Sequence, residues 1–191
     1  MSARGWTSRP SPLWTSEPVL VTAGPDADDD ADPVEVARLI ILRQLTRGPR
    51  TRAQLAEACR RRGVPEDAAQ QMLDRFGELG LVDDTAYARA WVDSRHVGRG
   101  LSRRALRHEL RHRGVDDETA EGALERIDAA DEEATAQALV LSRLPGLQRY
   151  DAATQTRRLT GLLTRRGYSP GMALAVVRRV LADVQGEAFD P

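Results

Sequence analysis

Apolar residues in this chain keep fixed distances from three glycines, Gly63, Gly114 and Gly167. In each segment they stand eight and four residues before the glycine and six, ten and thirteen residues after it. These positions are Leu55, Cys59, Ala69, Leu73 and Phe76, then Leu106, Leu110, Ala120, Leu124 and Ile127, then Leu159, Leu163, Ala173, Val177 and Val180. Steps of three and four residues follow one face of an α-helix, whereas a strand would alternate with a period of two. The pattern predicts three copies of one helical unit.

A short basic phrase surrounds each of these glycines. It reads Arg61-Arg62-Gly63-Val64, His112-Arg113-Gly114-Val115 and Arg165-Arg166-Gly167-Tyr168. Glycine adopts positive φ readily and basic side chains favour the negative end of a helix dipole, so each phrase predicts the end of a helix. Thr51 and Ser102, each twelve residues before its glycine, are good N-caps for that helix, and we expect Thr154 to cap the third copy. A second helix should begin two or three residues after each glycine.

A further helix is expected before each pair, over residues 35–46, 84–95 and 131–143. The predicted repeats then span residues 34–80, 81–129 and 130–184. A unit of this size buries too little apolar surface to be stable alone, so neighbouring units should stabilise one another. The predicted fold is all-α, with three tandem three-helix repeats in an elongated, curved array.

The two ends of the chain differ from the repeats. Residues 1–33 are rich in Pro, Ser, Thr and Asp, which predicts a disordered acidic tail, and residues 185–191 should fray. The sequence has no run of eighteen apolar residues and no basic-then-apolar leader, so we expect a cytoplasmic protein without membrane contact. Cys59, the single cysteine, holds the place of Leu110 and Leu163 in the other copies and is expected in the core.

Charge is unevenly distributed, although the net charge is only −1. Residues 95–114 include seven arginines and one acid, whereas residues 116–133 include nine acids and one arginine. Arg103, Arg107 and Arg111 are four residues apart and form a basic ridge on one helix. Stacked repeats would align such ridges into a stripe facing an anionic partner, with the acids on the opposite face. Alternatively, the arginines are ordinary solvated faces offset by acids on the next helix.

Two other functions are disfavoured by the sequence. In a helix-turn-helix protein the helix after the turn enters the major groove, but here it carries Asp116, Asp117 and Glu118, which phosphates would repel. The segment 108–112 reads His-Glu-Leu-Arg-His and so has the form of a zinc-protease motif. However, Leu110 is a core position, the surrounding arginines repel a cation and no third ligand follows. We therefore expect no enzyme activity, no metal and no cofactor.

A longer segment carries a resemblance to a known family. It opens with Gly80-Leu81-Val82-Asp83-Asp84-Thr85-Ala86-Tyr87-Ala88, continues through Arg95 and Gly98-Arg99-Gly100, and ends with the basic helix and its glycine at residues 101–115. In motif, spacing and number of repeats, residues 34–182 resemble the RecX family of recombination regulators. The family's usual lysine before the glycine is here Arg113, which keeps the charge. The resemblance implies a non-enzymatic modulator that binds the groove of the RecA–single-stranded DNA filament and restrains its ATPase, strand-exchange and co-protease activities.

The resemblance and the charge pattern together indicate candidate residues. Those expected to contact the partner are Arg103, Arg104, Arg107 and Arg111 at the centre, with Arg60, Arg61, Arg165 and Arg166 extending the surface. Those expected to have structural roles in the family motif are Asp83, Asp84, Tyr87, Ala88 and Gly114. The expected partner is the RecA filament, with single-stranded DNA reached through it, and the protein is expected to be a monomer. A repeat scaffold for another acidic protein and a nonspecific nucleic-acid binder are the alternatives.

Overall fold

The computed structural model describes residues 32–187, without the side chains of residues 185 and 187. Helices joined by short turns form this part of the chain, and it contains no strand, so the predicted all-α class is confirmed. The helices are α1 Pro33–Leu45, α2 Arg52–Arg60, α3 Glu66–Glu78, α4 Asp84–Arg99, α5 Arg103–His112, α6 Asp117–Leu124, α7 Ala129–Arg143, α8 Ala152–Arg165 and α9 Pro170–Glu187, with a 3₁₀ turn at Leu144–Leu147. None of these helices is long and apolar enough to cross a membrane. The predicted tail up to residue 31 and the predicted frayed end from residue 188 lie outside the described residues, whereas residues 32–33 and 185–187 belong to helices or their caps.

Helix starts follow the capping signals, with one correction. Thr51 accepts a hydrogen bond from the amide of Gln54 and forms a reciprocal capping box with it, and Ser102 caps α5. The prediction that Thr154 caps α8 was wrong, because Asp151 accepts from the Thr154 amide at 2.9 Å and starts the helix three residues earlier. Asp is one of the strongest N-cap residues, and its carboxylate here satisfies one of the amides left without an intrahelical partner.

Helix α4 is one turn longer than its predicted end at residue 95. It continues through Gly98 to Arg99 and stops at Gly100, which has a φ of 60°. Gly100 therefore ends the helix, because glycine adopts the left-handed conformation at a helix end without steric cost.

Three helices form each repeat, and each repeat has its own core. Repeat 1 comprises α1–α3, repeat 2 comprises α4–α6 and repeat 3 comprises α7–α9. The positions four and eight residues before the glycines are completely buried, as the pattern predicted: Leu55, Cys59, Leu106, Leu110, Leu159 and Leu163. Truncating one such leucine to alanine costs about 2–5 kcal/mol. Each core is therefore built from the residues that recur in the sequence.

Neighbouring repeats meet through the basic glycine turns. We call the contact between repeats 1 and 2 the first joint and that between repeats 2 and 3 the second joint. At the first joint the carbonyl of Arg113 accepts a hydrogen bond from the Thr51 hydroxyl at 2.6 Å. At the second joint the carbonyl of Arg166 accepts from the Ser102 amide at 3.0 Å. The repeated phrase thus ends one helix and docks its turn onto the start of the middle helix in the preceding repeat.

The glycines permit this close approach. A Cβ added to Gly114 would lie 2.2 Å from the Cβ of Ala53, and one added to Gly167 would lie 2.4 Å from the Ser102 Oγ. Gly63 has the same left-handed backbone, but a Cβ there would meet nothing within 4 Å. Because repeat 1 has no repeat before it in the described chain, its glycine serves only as a helix end.

A carboxylate completes each joint. The amide of Arg52, the first residue of α2, donates to Asp84 Oδ1 at 2.8 Å. The amide of Arg103, the first residue of α5, donates to Glu132 Oε1 at 2.9 Å. Each acid comes from the first turn of the next repeat, so an otherwise orphan helix amide is satisfied across the joint. The two joints are therefore equivalent contacts between successive repeats.

Candidate functional site

The predicted basic ridge on α5 is largely paired inside the protein. Arg107 forms a bidentate ion pair with Glu121, with its second nitrogen 2.8 Å from Oε2, and Arg111 forms one with Asp117, with its second nitrogen 2.9 Å from Oδ2. Both acids lie on α6, the next helix of the repeat. The expectation that the acids occupy the opposite face is thus wrong for this pair of helices, and the interpretation in which acids on the next helix offset the arginines applies to Arg107 and Arg111.

These ion pairs also shift the protonation equilibria of their carboxylates. Donation from the Arg107 guanidinium lowers the pKa of Glu121, and donation from Arg111 lowers the pKa of Asp117. The third residue of the ridge differs, since the side chain of Arg103 makes no ion pair with any side chain that the structure describes. A partner that contacts Arg107 or Arg111 must therefore compete with an internal carboxylate. Arg103 can contact a partner without breaking an internal ion pair.

The other predicted arginines have different surroundings. Arg60 and Arg61 share the carboxylate of Glu57 on the same helix, at 2.5 and 3.6 Å. Arg104 and Arg166 lie at the second joint, where the Arg104 Nε donates to the carbonyl of Gly167 at 3.0 Å and Arg166 donates to the carbonyl of Arg99. These two side chains consequently contribute to the contact between repeats, although Arg104 stays exposed.

Arg165 belongs to a basic groove in repeat 3, which we call the repeat-3 groove. Its lining combines four arginines with glycines and leucines: Arg143, Gly146, Leu147, Arg157, Arg158, Leu159, Gly161, Leu162 and Arg165. The four arginines are exposed and none is ion-paired within the described part of the chain. Arg158 stacks over the ring of Tyr150 at 3.9 Å and helps to lower the pKa of its hydroxyl. The groove is thus a cationic surface that also contains glycine and leucine.

A second basic cavity lies at the first joint, and we call it the joint pocket. It has a volume of about 690 Å³, and its charged and aromatic lining residues are Arg47, Arg50, Asp83, Tyr87, Trp91, Arg95 and Arg113. The guanidinium groups of Arg95 and Arg113 stack over the indole ring of Trp91, at 4.1 and 3.5 Å from its centroid. Trp91 is fixed in turn, because its Nε1 donates to Glu109 at 2.8 Å. The cavity therefore contains several arginines, two of which are stacked on an aromatic ring.

Comparison with known proteins identifies the family. Residues 37–76 and 83–124 match the sequence models described as the first and second three-helix domains of RecX. Regulatory protein RecX of Thermobifida fusca is 55% identical over 154 residues, which cover 81% of this chain and 83% of that protein. The chain belongs to the RecX family. Regulatory protein RecX of Streptomyces coelicolor is 53% identical over 156 residues (82% of each chain), and that of Mycolicibacterium smegmatis is 44% identical over 177 residues (90% and 94%).

Crystal structures of RecX proteins share the fold at low sequence identity. RecX from Lactobacillus salivarius superposes with a TM-score of 0.69 at 18% identity, over 78% of this chain and 97% of that one. A second structure, of regulatory protein RecX, gives a TM-score of 0.63 at 20% identity, over 74% and 70%. The three-helix repeats are thus the RecX fold.

The RecX motif residues occupy structural positions in this chain. Asp83 caps α4 by accepting from the Ala86 amide at 2.8 Å, and the side chain of Ala88 is completely buried in the core of repeat 2. The Tyr87 hydroxyl accepts from Arg113 at 3.0 Å, beside Trp91. Of the two adjacent acids of the motif, only Asp83 caps α4.

Two further motif residues hold the first joint. Gly114 makes the close approach to Ala53, and Asp84 accepts from the Arg52 amide. Burial raises the pKa of the Asp84 carboxyl, while the hydrogen bond from Arg52 acts against that rise. The adjacent acids of the RecX motif therefore cap two different helices, one in each repeat.

Sequence reasoning missed several arginines that the structure brings together. They are Arg47, Arg50, Arg95 and Arg113 in the joint pocket and Arg143, Arg157 and Arg158 in the repeat-3 groove. A sequence signal existed for the groove: residues 134–182 include eight arginines but only one acid, Asp151. That acid is used as a helix cap. No comparable signal marks the joint pocket, because its arginines come from two repeats.

Proposed function

We propose that this RecX family member is a cytoplasmic, monomeric and non-enzymatic regulator that binds the RecA–single-stranded DNA filament. In this proposal, binding inhibits the ATPase, strand-exchange and co-protease activities of RecA. The observation that supports it most is the repeat-3 groove, whose four exposed arginines have no carboxylate partner within the described part of the chain. Arginine recognises phosphates and carboxylates through the fork of its N–H groups, and a nucleoprotein filament presents both.

The proposed contacts follow from how each arginine is used. Arg103 and Arg165 are available without rearrangement, and the arginines beside Arg165 in the repeat-3 groove extend that surface. Arg60, Arg61, Arg104, Arg107, Arg111 and Arg166 complete the proposed contact surface, but each would first have to leave an internal partner. Exposed ion pairs such as those of Arg60 and Arg61 are worth little, typically 0–1 kcal/mol, so their exchange is energetically accessible. The bidentate pairs of Arg107 and Arg111 are harder to exchange. The affinity should nevertheless depend most on the unpaired arginines.

The experiment is a titration of single-stranded-DNA-dependent ATP hydrolysis by the cognate RecA with this protein. Inhibition well below one molecule per RecA would indicate action on filament ends or growth, and inhibition only near saturation would indicate coating of the groove. Either result supports the proposal. No inhibition by the folded protein with active RecA would contradict it and favour a repeat scaffold for another acidic protein.

Matched variants make the test specific to the surface. Neutralising Arg143, Arg158 and Arg165 of the repeat-3 groove to glutamine should weaken inhibition by about tenfold or more, since each lost charge-assisted contact is worth roughly 1.5–3 kcal/mol. The control variant replaces three arginines that are ion-paired elsewhere, namely Arg38, Arg75 and Arg126. It removes the same net charge, so equal loss in both variants would show that only overall charge matters.

Nonspecific binding to single-stranded nucleic acid is the weaker alternative. Such proteins stack bases on open aromatic faces. Here Trp91 carries two guanidinium groups and Tyr150 carries those of Arg149 and Arg158. Because arginines already lie over these rings, we give preference to recognition of the filament.

A further inference from the structure

The joint pocket has a chemistry of its own, distinct from that of the repeat-3 groove. We infer that it is a binding site for an acidic protein segment that carries one large apolar side chain. The inference does not depend on which protein supplies the segment, and so it stands apart from the proposed action on RecA. It rests on three observations: the arginines have no anionic partners among the described residues, two of them are stacked on Trp91, and apolar residues line the rest of the pocket.

The cations of the pocket lack anionic partners. The side chains of Arg47, Arg50 and Arg95 make no hydrogen bond and no ion pair with the side chains and backbone that the structure describes. The Nε atoms of Arg50 and Arg95 are even buried without an acceptor. A charged donor removed from water without a partner is unfavourable. A carboxylate bound at the remaining N–H groups would offset this cost by charge-assisted hydrogen bonds.

Two of the guanidinium groups are held ready for such a ligand. Arg95 and Arg113 stack on Trp91, and the indole is anchored by Glu109. A guanidinium stacked on a ring can still donate from the N–H groups at its edge. Arg113 uses one of its nitrogens to donate to the Tyr87 hydroxyl at 3.0 Å, whereas Arg95 donates to none of the described residues. Because these side chains are already ordered, binding loses less conformational entropy than it would with free arginines. The only acid in the lining, Asp83, is occupied as the cap of α4.

The remaining wall of the pocket is apolar. It consists of Pro49, Leu81, Ala86 and Ala90, together with the ring of Tyr87. Leu81 is 52% exposed and belongs to no core cluster, so its side chain is available to a ligand. An apolar side chain of the ligand would cover this surface while its neighbouring carboxylates reach the arginines. The combination fits an acidic peptide that contains a phenylalanine, leucine or tryptophan.

A nucleic acid strand fits the pocket less well. Bases bind single-strand proteins by stacking on ring faces, but the indole of Trp91 is covered by Arg95 and Arg113 and packs beside Tyr87 with ring centroids 6.0 Å apart. The exposed apolar group, Leu81, offers no aromatic face. An acidic peptide uses both the cations and the apolar wall, and a strand would use the cations alone.

The test follows the arginine Nε–H signals of the full-length protein by NMR during titration with a short synthetic peptide of glutamates around one phenylalanine. We expect saturable shifts at Arg50 and Arg95. Peptides with glutamine for glutamate, or alanine for phenylalanine, should bind at least about tenfold more weakly. An oligothymidylate of equal charge that shifts the same signals more strongly than the peptide would overturn the inference in favour of nucleic acid. Absence of saturable shifts with any of these probes would also overturn it.

Variants locate the site independently of the signals. R50Q/R95Q should weaken binding of the acidic peptide about tenfold, whereas R38Q/R75Q, which removes two ion-paired arginines, should change it less than about twofold. Leu81→Ala serves as the second variant because its side chain lies outside the core, so folding does not depend on it. It should reduce the preference for phenylalanine over alanine in the peptide. If all three variants bound the acidic peptide as tightly as the parent protein does, the joint pocket would not be its binding site. This result does not depend on the outcome of the RecA ATPase assay.

Discussion

Replacing Gly114 by alanine should loosen the contact between repeats 1 and 2. Gly114 has a φ of 78°, and an added Cβ would lie 2.2 Å from the Cβ of Ala53 in the preceding repeat. Gly63 is a matched position in the chain, since its φ is 74° and an added Cβ would meet nothing within 4 Å. The same substitution therefore tests backbone strain alone at Gly63 and strain plus a steric clash at Gly114.

The magnitudes follow from these two terms. A left-handed backbone costs a residue with a Cβ roughly 1–2 kcal/mol, so Gly63→Ala should lower the free energy of unfolding by about that amount. Forcing a methyl group into a packed contact adds typically 1–3 kcal/mol. Gly114→Ala should therefore cost roughly 2–5 kcal/mol in total.

The assay is urea unfolding monitored by circular dichroism, with Ala53→Gly as the partner in a double-mutant cycle. Ala53→Gly alone should cost about 1 kcal/mol because glycine is a poor helix former. It removes the methyl group with which the new Cβ of Gly114→Ala would clash. The double variant should therefore lose about 1–3 kcal/mol less free energy of unfolding than the sum of the losses in the two single variants. Two results would contradict the close approach of Gly114 to Ala53. One is an equal loss of unfolding free energy for Gly63→Ala and Gly114→Ala, and the other is a double variant whose loss equals the sum of its single losses.

Three further predictions concern single side chains. Asp151→Ala should lower the free energy of unfolding by about 0.5–2 kcal/mol, and Thr154→Ala by clearly less, because Asp151 provides the cap of α8; thermal melts that rank them in the reverse order would contradict the assigned helix start. Thr51→Val should cost about 1–3 kcal/mol in urea unfolding, since it removes both a helix cap and the hydrogen bond that closes the first joint. Glu121 has its pKa lowered by Arg107, so its ion pair stabilises the fold above the ordinary value of 4.5 and loses that contribution as the pH falls through the lower folded pKa. Glu121→Gln should accordingly reduce the acid dependence of stability below about pH 4.5, and an unchanged pH profile would show that the pair does not form in solution.

The fold could be predicted largely from local signals in the sequence. The leucines around each glycine are spaced for a helical face, and they are the buried residues of each core. Thr51 and Ser102 cap the helices that the spacing indicated. Where two capping residues lay close together the choice went wrong, as with Asp151 and Thr154, because a cap is decided by backbone geometry and not by residue type alone.

The joints and the arginine partners could not be predicted in the same way. Asp84 accepts from Arg52, thirty-two positions away, and Glu121 pairs with Arg107 across two helices. Such contacts depend on how helices pack within a repeat and how repeats pack on one another, which periodicity does not specify. The glycine turns did carry the necessary residues, but only the structure shows that Gly114 touches the preceding repeat. The sequence therefore placed the arginines of the α5 ridge correctly. It did not show that acids on α6 pair with two of them and so limit their access to a partner.

Binding of this RecX family member to RecA assembled on single-stranded DNA is the basis of the proposed function. The most direct measurement is the fluorescence anisotropy of the labelled protein with preformed RecA–single-stranded DNA filaments, held by a non-hydrolysable ATP analogue, compared with RecA alone and with DNA alone. We predict tightest binding to the filament, weakening as salt rises because arginines supply the contacts. Equal affinity for naked DNA, or no binding to the filament at low salt, would contradict the account.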